Sequence, residues 1–506
     1  MCIALSGAAQ NNQSRSSGDW LTWGGDEHRA GWAKSEAILS KENVSRLGIQ
    51  WIAQLDTVPK FEVLSTLTAP IVIEGVTTPQ GLKDIVFVIG SNDTVNAIDA
   101  ESGAILWKRN FPNNLKPPAS ATYLCPNTQN ATPVIDKETG IIYLNTSDGK
   151  LRGLSVSNGE DRMPATDFLT PFARNWSLNL VDGVIYTPVA RGCGNAVSNF
   201  AAMDIRNPAH PQVHYFTGTG RPAGAWGRGG MIRGPKGMYA QTADGPYDPA
   251  AGKFGNTVLA LNPRDLRLID SFTPANFGAL NEKDLDLGSA SPIIFPFQKW
   301  NLLATSSKEA VIHILDANAL GGADHHTPLH QSRWGNDIAS KTSKGLWGSM
   351  ATWEDGQGQR WLLLPMWGPP SKNAPAFQYS YGPAEEGSVM AFRLTVENEK
   401  PSLVPVWMSR DMHVPDVPAV ANGVVFVLST GENTLQGGYF PPEVRAKPYS
   451  HAIFYALDAA NGNELYSSGD QIPSFAHFAG LAISKGRIYF CTWDAKVYSF
   501  GLKAAS

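Results

Sequence analysis

A short pattern of apolar and turn-forming residues recurs along the chain. In its fullest copy, residues 96–107, an apolar pair at 97–98 is followed by Asp99, by Gly103 and then by an apolar run that ends at Trp107. Asp and Gly are typical of tight turns, because Asp bonds nearby backbone and Gly accepts a positive φ. The pattern therefore predicts the end of one β-strand, a turn and the start of the next strand.

Degenerate copies of this pattern divide the chain into units. They start at Ala97, Gly153, Ala202, Ala260, Ile314, Ala391, Ala456 and Ser499. Successive copies lie 43 to 77 residues apart, and self-similarity at periods near 50 residues is typical of propellers and solenoids.

Each copy follows a β-rich run, such as residues 84–89 or 423–428, and several of these runs follow a Pro-led apolar strand, such as residues 70–73. Eight units of about four strands predict an all-β fold, an eight-bladed β-propeller of four-stranded antiparallel blades. We expect one propeller domain over residues 19–506. The polar residues 1–18 are expected to be a disordered or processed N-terminal arm.

Composition excludes some functions. The formal net charge is -4 and no basic stripe stands out, so nucleic acid is an unfavourable partner. No stretch of about 18 apolar residues is present, so no membrane span is expected. Cys125 and Cys193 both lie in loops rich in Gly, Pro and Asn, which leaves a disulfide or two free thiols open, and Cys491 lies in a strand pattern.

The N-terminal part of the propeller resembles a known family. Trp20-x-x-x-Gly-Gly-Asp is followed by Asn43-Val-x-x-Leu-x-x-x-Trp51, and the repeat itself is an Ala-x-Asp turn that leads to Trp. These motifs resemble those of the pyrroloquinoline quinone (PQQ)-dependent alcohol dehydrogenases, in which the Ala-x-Asp turn and Trp dock the blades. The resemblance covers about residues 19–502 and looks most like a divergent, PQQ-binding-like branch.

The resemblance implies a quinoprotein that oxidises an alcohol or aldehyde with PQQ and Ca²⁺ or another divalent cation. Such a protein is exported, to the periplasm or outside the cell. Because no CxxCH haem motif is present, the electrons would pass to a separate acceptor.

Two aspartates, which lie in an acidic segment with Glu282, and a lysine are the candidates for chemistry. By position in the family pattern Asp286, with Asp284 second, matches the carboxylate base, and alternation would put both on one face of a strand. Lys308 matches the cation that contacts the quinone oxygens. The alternative is that these are solvated turn residues and a surface lysine.

Flat side chains and an amide complete the predicted site. The resemblance places Tyr247 beneath the cofactor ring and makes Trp226 and Trp347 candidates for the mouth of the funnel, although any one Trp could instead pack between blades. Asn256 and Asp286 are the candidate cation ligands, since hard cations take oxygen ligands.

Other functions stay open. The chain lacks the adjacent Cys-Cys pair that is common in the family. It could be a non-catalytic propeller that binds proteins or peptides, or a propeller lyase or hydrolase. The loop 324–330, which holds one Asp and three His, could bind a transition metal or be a polar loop.

Overall fold

The structure is a computed structural model, and most of the chain is described. The described residues are 18–59, 65–118, 131–190, 193–217, 223–225, 227–332, 344–374, 376–433, 441–445 and 447–504. The predicted arm 1–18, apart from Gly18, lies outside them.

Eight antiparallel sheets form the blades of a propeller, so the predicted fold class is confirmed. From the innermost strand outwards, blade 1 consists of Ile71–Thr78, Gly81–Ile89, Thr94–Asp99 and Ile105–Asn110. Blade 2 consists of Val134–Asp136, Ile141–Asn145, Lys150–Ser155 and Asp161–Asp167. Blade 3 consists of Arg174–Asn175 with Asn179–Val181, then Val184–Ala190, Asn199–Asp204 and Gln212–Phe216. Blade 4 consists of Ile232–Gly234, Gly237–Gln241, Val258–Leu261 and Leu268–Phe272.

The second half of the chain completes the ring. Blade 5 consists of Ile293–Phe297, Trp300–Thr305, His313–Asp316 and His330–Gln331. Blade 6 consists of Gly345–Leu346 with Ala351–Glu354, then Arg360–Trp367, Gly387–Glu397, Lys400–Met408 and an outer strand, Tyr379–Ser380. Blade 7 consists of Ala419–Ala421, Val424–Ser429, Ile453–Asp458 and Glu464–Ser467. Blade 8 consists of Ala482–Ser484, Arg487–Cys491, Lys496–Leu502 and Leu47–Gln54.

Short elements fill the connections. A two-stranded hairpin inside blade 4 joins Tyr247–Asp248 to Lys253–Phe254. The α-helices are Phe277–Lys283 and Pro442–Arg445. The 3₁₀ turns are Val44–Arg46, Cys193–Asn195, Pro249–Ala251, Leu287–Ser289, Gly322–Asp324 and Gly469–Gln471. No helix in the described part of the chain is long and apolar enough to cross a membrane.

Every copy of the sequence repeat lies in the third strand of a blade. The apolar positions of these strands are almost fully buried, as in Thr94–Asp99 and Ile453–Asp458. Blade 8 takes its outermost strand from the N-terminal part of the chain, with Leu47 opposite Leu502 and Gln54 opposite Lys496. This pairing closes the ring, because strands from both ends of the propeller share one sheet.

Aromatic side chains latch neighbouring blades together. The indole N–H groups of Trp51, Trp107 and Trp407 donate to the carbonyls of Ala100, Val156 and Ala459, which follow the third strand of the next blade, at 2.9–3.0 Å. In blade 4 the Tyr239 hydroxyl makes the corresponding bond to the Ala317 carbonyl at 2.6 Å. The docking role that the resemblance assigned to the Trp of the repeat is thus visible in the geometry.

A segment that we call the axial strap, residues 19–39, fills the channel inside the ring. Its backbone pairs with the innermost strand of one blade after another: Trp20 with Val72, Leu21 with Ile135, Glu27 with Arg233, Ala30 with Thr352 and Gly31 with Val420. Buried Arg29 binds the Leu178 carbonyl beside blade 3, and the Glu36 carboxylate accepts the Gly486 N–H of blade 8. The strap therefore ties blades 1–4 and 6–8 to the axis.

Connections alternate between two faces of the disc. Turns that join first to second strands and third to fourth strands lie on one face. Loops that join second to third strands, and each blade to the next, lie on the other, which we call the upper face. Asp284, Asp286, Lys308, Tyr247 and Asn256 lie in connections of the upper face. Trp347 follows the inner strand Gly345–Leu346 of blade 6, and the loop 324–330 joins the third strand of blade 5 to its fourth.

Candidate functional site

Three carboxylates meet on the upper face between blades 4 and 5. Oxygen atoms of Asp244, Asp284 and Asp286 all lie within 4.8 Å of one another. Asp244 comes from the loop after the second strand of blade 4, and the other two come from the connection to blade 5. Within the described part of the chain, these three residues are the one group of acidic, His or Cys side chains close enough together to hold a metal ion. We call these three residues, with Lys308, the acid–lysine cluster.

Lys308 lies in the turn after the second strand of blade 5, and its side chain enters the cluster. Its Nζ is 3.1 Å from Asp284 Oδ1 and forms a shorter ion pair with Asp286. Lys308 is 7 % exposed and Asp286 is 4 % exposed. Both side chains are therefore buried, unlike the solvated turn residue and surface lysine of the alternative interpretation.

The cluster carries more negative than positive charge, and the pKa values respond. Burial, together with the charge of Asp286, raises the pKa of Asp244 to about 8. Burial also raises the pKa of Asp286, although the Lys308 charge opposes this. Burial alone would lower the pKa of Lys308, but the charges of Asp286 and Asp284 hold it above its ordinary value. A positively charged ligand would relieve this excess.

The two aspartates of the 284–286 segment are brought together by a turn, not by a strand. Asp284 caps the helix Phe277–Lys283 in the left-handed conformation, with φ 55°, and Asp286 immediately precedes the turn Leu287–Ser289. The prediction that strand alternation aligns them is wrong. The helix end reverses the chain, and both carboxylates reach the same lysine as a result.

Amide side chains hold the cluster in place. Asn256 donates its amide N–H groups to Asp244 Oδ1 at 3.2 Å and to Asn281 Oδ1 at 2.8 Å, while its oxygen accepts the Leu287 N–H at 2.8 Å. Buried Gln241 donates to the carbonyls of Leu287 and Ala290 and accepts the hydroxyl of Thr305, three residues before Lys308. These bonds join the loop of Asp286 to the strand that carries Lys308.

The predicted aromatic residues lie in different surroundings. Lys308 Nζ is 4.9 Å from the centre of the Trp347 ring, and Trp347 stacks on Trp367 with centroids 5.3 Å apart. Tyr247 instead packs among rings of its own, with Phe277 at 4.9 Å and His326 at 5.5 Å. Trp347 is therefore the described aromatic side chain in contact with the cluster, and Trp226 lies outside the described residues.

A second set of buried charges crosses the axis beside the cluster. Arg228, in the loop before blade 4, binds Asp416 of the loop before blade 7 at 2.7 Å, and it reaches the Trp347 carbonyl at 3.4 Å. A Cβ at Gly348 would lie 2.5 Å from the Arg228 guanidinium, so glycine is needed for this approach. Next to it, Glu432 pairs with His477.

The other sequence candidates are resolved in part. His325 and His326 direct Nδ1 to the Ser271 and Thr273 carbonyls, which favours the polar-loop alternative for residues 324–330. Cys193 is disulfide-bonded and Cys491 is a free, buried thiol. Cys125, the possible disulfide partner of Cys193 in the sequence analysis, lies outside the described residues.

The donor set fits a hard cation. Carboxylate oxygens from three residues are the ligands that such ions prefer. The amide oxygen of Asn256, a predicted ligand, accepts the Leu287 N–H, and it is the amide N–H that faces Asp244. Burial beside Asp286 raises the pKa of Asp244 to about 8, and a bound cation would favour its ionised form. A cation bound there would be neighboured by the Lys308 ammonium and the face of Trp347.

Sequence reasoning missed Asp244, Asn281 and Gln241. Asn281 lies three residues before Asp284 on the helix that Asp284 caps, whereas Asp244 and Gln241 lie 40 and 43 residues away and reach the cluster only through tertiary packing. The one signal available was the placing of Asp244 in a Gly/Pro-rich loop directly after a strand, where binding groups commonly lie.

Comparisons with known proteins point to two kinds of propeller. The protein-family profile described as outer membrane protein assembly factor BamB matches residues 63–218, which span blades 1 to 3. The glycerol dehydrogenase large subunit of Gluconobacter thailandicus is 20% identical over 394 residues, which are 73% of this chain and 44% of that protein. The quinohemoprotein alcohol dehydrogenase ADH-IIG of Pseudomonas putida is 25% identical over 181 residues, 35% of this chain and 22% of that protein. The chain thus spans less than half the length of both curated relatives.

Solved structures share the fold across nearly the whole chain. A europium-containing methanol dehydrogenase superposes with a TM-score of 0.64 at 13% identity, covering 96% of this chain and 99% of that one. ADHIIG from Pseudomonas putida HK5 gives 0.61 at 13% identity, covering 97% and 81%. BamB from Moraxella catarrhalis gives 0.51 at 11% identity, covering 90% and 99%. The predicted resemblance is confirmed: this chain is similar in sequence and fold to the quinoprotein dehydrogenase propellers.

Proposed function

We propose that this protein is a quinoprotein-like oxidoreductase that oxidises an alcohol or aldehyde with PQQ and a hard cation. The observation that carries the proposal is the acid–lysine cluster, a buried group of three carboxylates and one lysine on the upper face. Electrons would leave to a separate acceptor protein or quinone. The names of the dehydrogenase relatives support an alcohol as the substrate, and PQQ is taken from the sequence resemblance.

Each side chain of the cluster has a role in this proposal. Asp286 accepts the hydroxyl proton of the substrate, because it is a buried carboxylate whose raised pKa favours taking a proton. Asp244, Asp284 and Asp286 would hold the cation, and Asn256 would orient Asp244 through its amide N–H. A ligand role for the Asn256 oxygen remains a prediction. Lys308 faces negative charge that develops on the acceptor, and its ammonium stays protonated because two aspartates hold its pKa above the ordinary value. Bound PQQ would supply the two-electron acceptor.

The aromatic residues divide between two roles. Trp347 offers a half-buried face next to Lys308 and is the better-placed platform for a flat cofactor. Tyr247 supports the helix that ends at Asp284 through its contact with Phe277, so it positions the cluster. The roles predicted for Tyr247 and Trp226 beneath or beside the cofactor remain predictions.

A non-catalytic scaffold is the competing function, and the match to the BamB profile supports it for one part of the chain. That match ends at residue 218, before Asp244, the first residue of the cluster. A scaffold has no need of a buried excess of negative charge, which costs stability. The cluster therefore favours the oxidoreductase.

We also propose a periplasmic or secreted location. The disulfide at Cys193 supports it, because disulfides persist in oxidising compartments.

Terbium luminescence tests the cation site without requiring turnover. Tb³⁺ is a hard cation whose emission is sensitised by a nearby indole, here that of Trp347. We expect saturable emission on titration of the purified protein and competition by Ca²⁺. Asp286→Asn should weaken binding at least tenfold, whereas Asp265→Asn, an exposed aspartate on the opposite face, should leave it unchanged. Equal titrations for the wild type and Asp286→Asn would reject the proposed cation site.

A further inference from the structure

A small cavity lies beside the axial strap, among segments that lead into several blades. It is lined by Trp23 of the axial strap, by Thr68, Trp176, Ser177 and Arg228, and by Phe478. The volume within which the centre of a water molecule can move in this cavity is about 10 Å³. Such a volume holds one water-sized species.

Two side chains at this cavity present buried donors. Arg228 Nε and Nη1 and Trp176 Nε1 are inaccessible to solvent and have no hydrogen-bond partner among the described residues. Arg228 is 4 % exposed and Trp176 is 3 % exposed. Both side chains contact Phe478: the Arg228 guanidinium lies 4.1 Å from the centre of the Phe478 ring, and the Trp176 and Phe478 ring centroids are 6.3 Å apart.

The remaining Arg228 nitrogen is already used, and so is its counter-ion. Nη2 binds Asp416 Oδ1 at 2.7 Å. Asp416 also accepts the main-chain N–H groups of Val417 and Gly480, at 2.8 and 2.9 Å. Its negative charge is thus shared among three donors, and none of them is one of the unpartnered N–H groups of Arg228 and Trp176.

The chemistry of the three unused donors defines the occupant. Guanidinium and indole N–H groups only donate, so they need an acceptor. A water molecule could accept from two of them, but its own two hydrogens would then need acceptors, whereas a halide accepts from several donors and donates none. Leaving such donors unsatisfied in the interior is unfavourable.

We propose that this cavity is a binding site for a single small anion, with chloride as the ligand that its donor set favours. The anion would join blade 3 through Trp176, blade 4 through Arg228 and the strap at Trp23. Since Arg228 also reaches the Trp347 carbonyl, occupancy would brace the residue that contacts Lys308. The site is separate from the proposed cation site and does not depend on the proposed reaction.

Bromide provides the direct test, because it replaces chloride and scatters anomalously. Crystals of the wild-type protein grown in sodium bromide should show an anomalous peak within hydrogen-bond distance of Arg228 Nη1 and Trp176 Nε1. A peak that is absent, with a water molecule in the cavity instead, would overturn the proposal.

A thermal measurement adds a matched pair of variants. Replacing gluconate by chloride at constant ionic strength should raise the wild-type Tm by about 1–2 °C, because a ligand that binds only the folded state stabilises it. Trp176→Phe removes one donor and should abolish most of this shift. Trp353→Phe is the control, since Trp353 is equally buried with an unpartnered indole N–H but lies away from the cavity. The same chloride shift in Trp176→Phe as in the wild type would contradict the site.

Discussion

At the scale of single residues, the candidate site is a balance of buried charges. One ammonium, that of Lys308, serves two carboxylates, and a third, that of Asp244, lies beside them with its pKa raised to about 8. Ion pairs of this kind are held at a cost in desolvation and are costly to break from one side. Removing a negative charge should therefore weaken cation binding, and removing the positive charge should strengthen it.

Lys308→Met tests this balance. Without the ammonium, Asp284 and Asp286 lose their counter-charge, and we expect the free energy of unfolding in EDTA to fall by about 3 kcal/mol. Added Ca²⁺ should restore much of the loss, and Tb³⁺ should bind more tightly than to the wild type. Urea denaturation with and without Ca²⁺ measures both effects. Lys108→Met, which breaks an exposed pair with Asp56, is the control and should cost less than about 1 kcal/mol. Weaker Tb³⁺ binding in Lys308→Met would contradict the charge balance.

A buried histidine predicts a pH dependence of stability. Burial lowers the pKa of His313 to about 4, against 6.5 as its ordinary value. Between these values the unfolded chain binds a proton that the folded chain does not, so the free energy of unfolding falls as pH is lowered through this window. The loss approaches about 3 kcal/mol at pH 4, at 1.36 kcal/mol per pKa unit.

His313→Leu should remove this part of the acid sensitivity, as measured by urea denaturation at pH 7 and pH 4.5. His28→Gln, at an exposed position, should keep the wild-type dependence. An unchanged pH profile in His313→Leu would show that the buried imidazole is not its source.

Some of the site could be predicted from single residues, and some could not. Asp284, Asp286 and Lys308 stand near motifs that are visible in the sequence, and the structure joins them. Asp244 could not be found in this way, because it meets them only through the packing of one blade loop against the next connection. The strand assumed for residues 284–286 was wrong because a helix C-terminus, and not β alternation, sets their direction.

At the scale of elements, the blades are held by aromatic latches over glycine. Gly103, Gly159 and Gly462 have φ of 73–77° and lie beneath Trp51, Trp107 and Trp407. A Cβ at Gly159 would lie 2.6 Å from the Trp107 ring. The glycine of the repeat thus serves the turn and also makes room for the indole of the preceding blade.

Gly159→Ala separates these two roles when it is compared with Gly252→Ala. Gly252 has a similar φ of 66°, but nothing lies within 4 Å of its added Cβ. We expect Gly252→Ala to cost about 1 kcal/mol for the backbone alone. Gly159→Ala should cost about 1–3 kcal/mol more, because the indole must move. Equal losses in thermal denaturation would mean that the latch does not depend on this close approach.

The repeat predicted the third strands of all eight blades, because each copy keeps its short apolar core even where the Asp and Gly turn is degenerate, as at Ala391-Phe392-Arg393 within Gly387–Glu397. Blade 6 was less predictable. Its long interval, 77 residues between copies of the repeat, holds the additional strands Gly345–Leu346 and Tyr379–Ser380, the second of which pairs in parallel with the outermost strand. Two-residue strands carry no periodicity, so only tertiary pairing defines them.

At the scale of the whole molecule, the axial strap and the closure of blade 8 convert eight sheets into one ring. The strap was recognised in the sequence by its motif, but its path through the channel follows from backbone pairing with the blades. Arg29 is its most buried charged side chain, at 0 % exposed, and binds Thr22, the Trp23 carbonyl and the Leu178 carbonyl.

Arg29→Met should therefore weaken the ring as a whole. It leaves the Trp23 and Leu178 carbonyls without this donor, and we expect a loss on the order of 2–4 kcal/mol in the free energy of unfolding. Hydrogen exchange should rise in the strap and in the innermost strands of several blades together. Arg264→Met, at an exposed turn, is the control. Faster exchange confined to residues next to position 29 would argue against a strap that acts on the entire ring.

The most direct test of the proposed function is reconstitution. Purified protein is loaded with PQQ and Ca²⁺, and after removal of unbound cofactor its absorption spectrum and its dye-linked oxidation of short alcohols are recorded. The proposed function predicts a bound chromophore, and Asp286→Asn should lower dye reduction per bound chromophore at least 100-fold at Ca²⁺ concentrations that saturate its weakened cation site. A protein that retains no chromophore and reduces no dye, or an Asp286→Asn variant with wild-type activity, would contradict it.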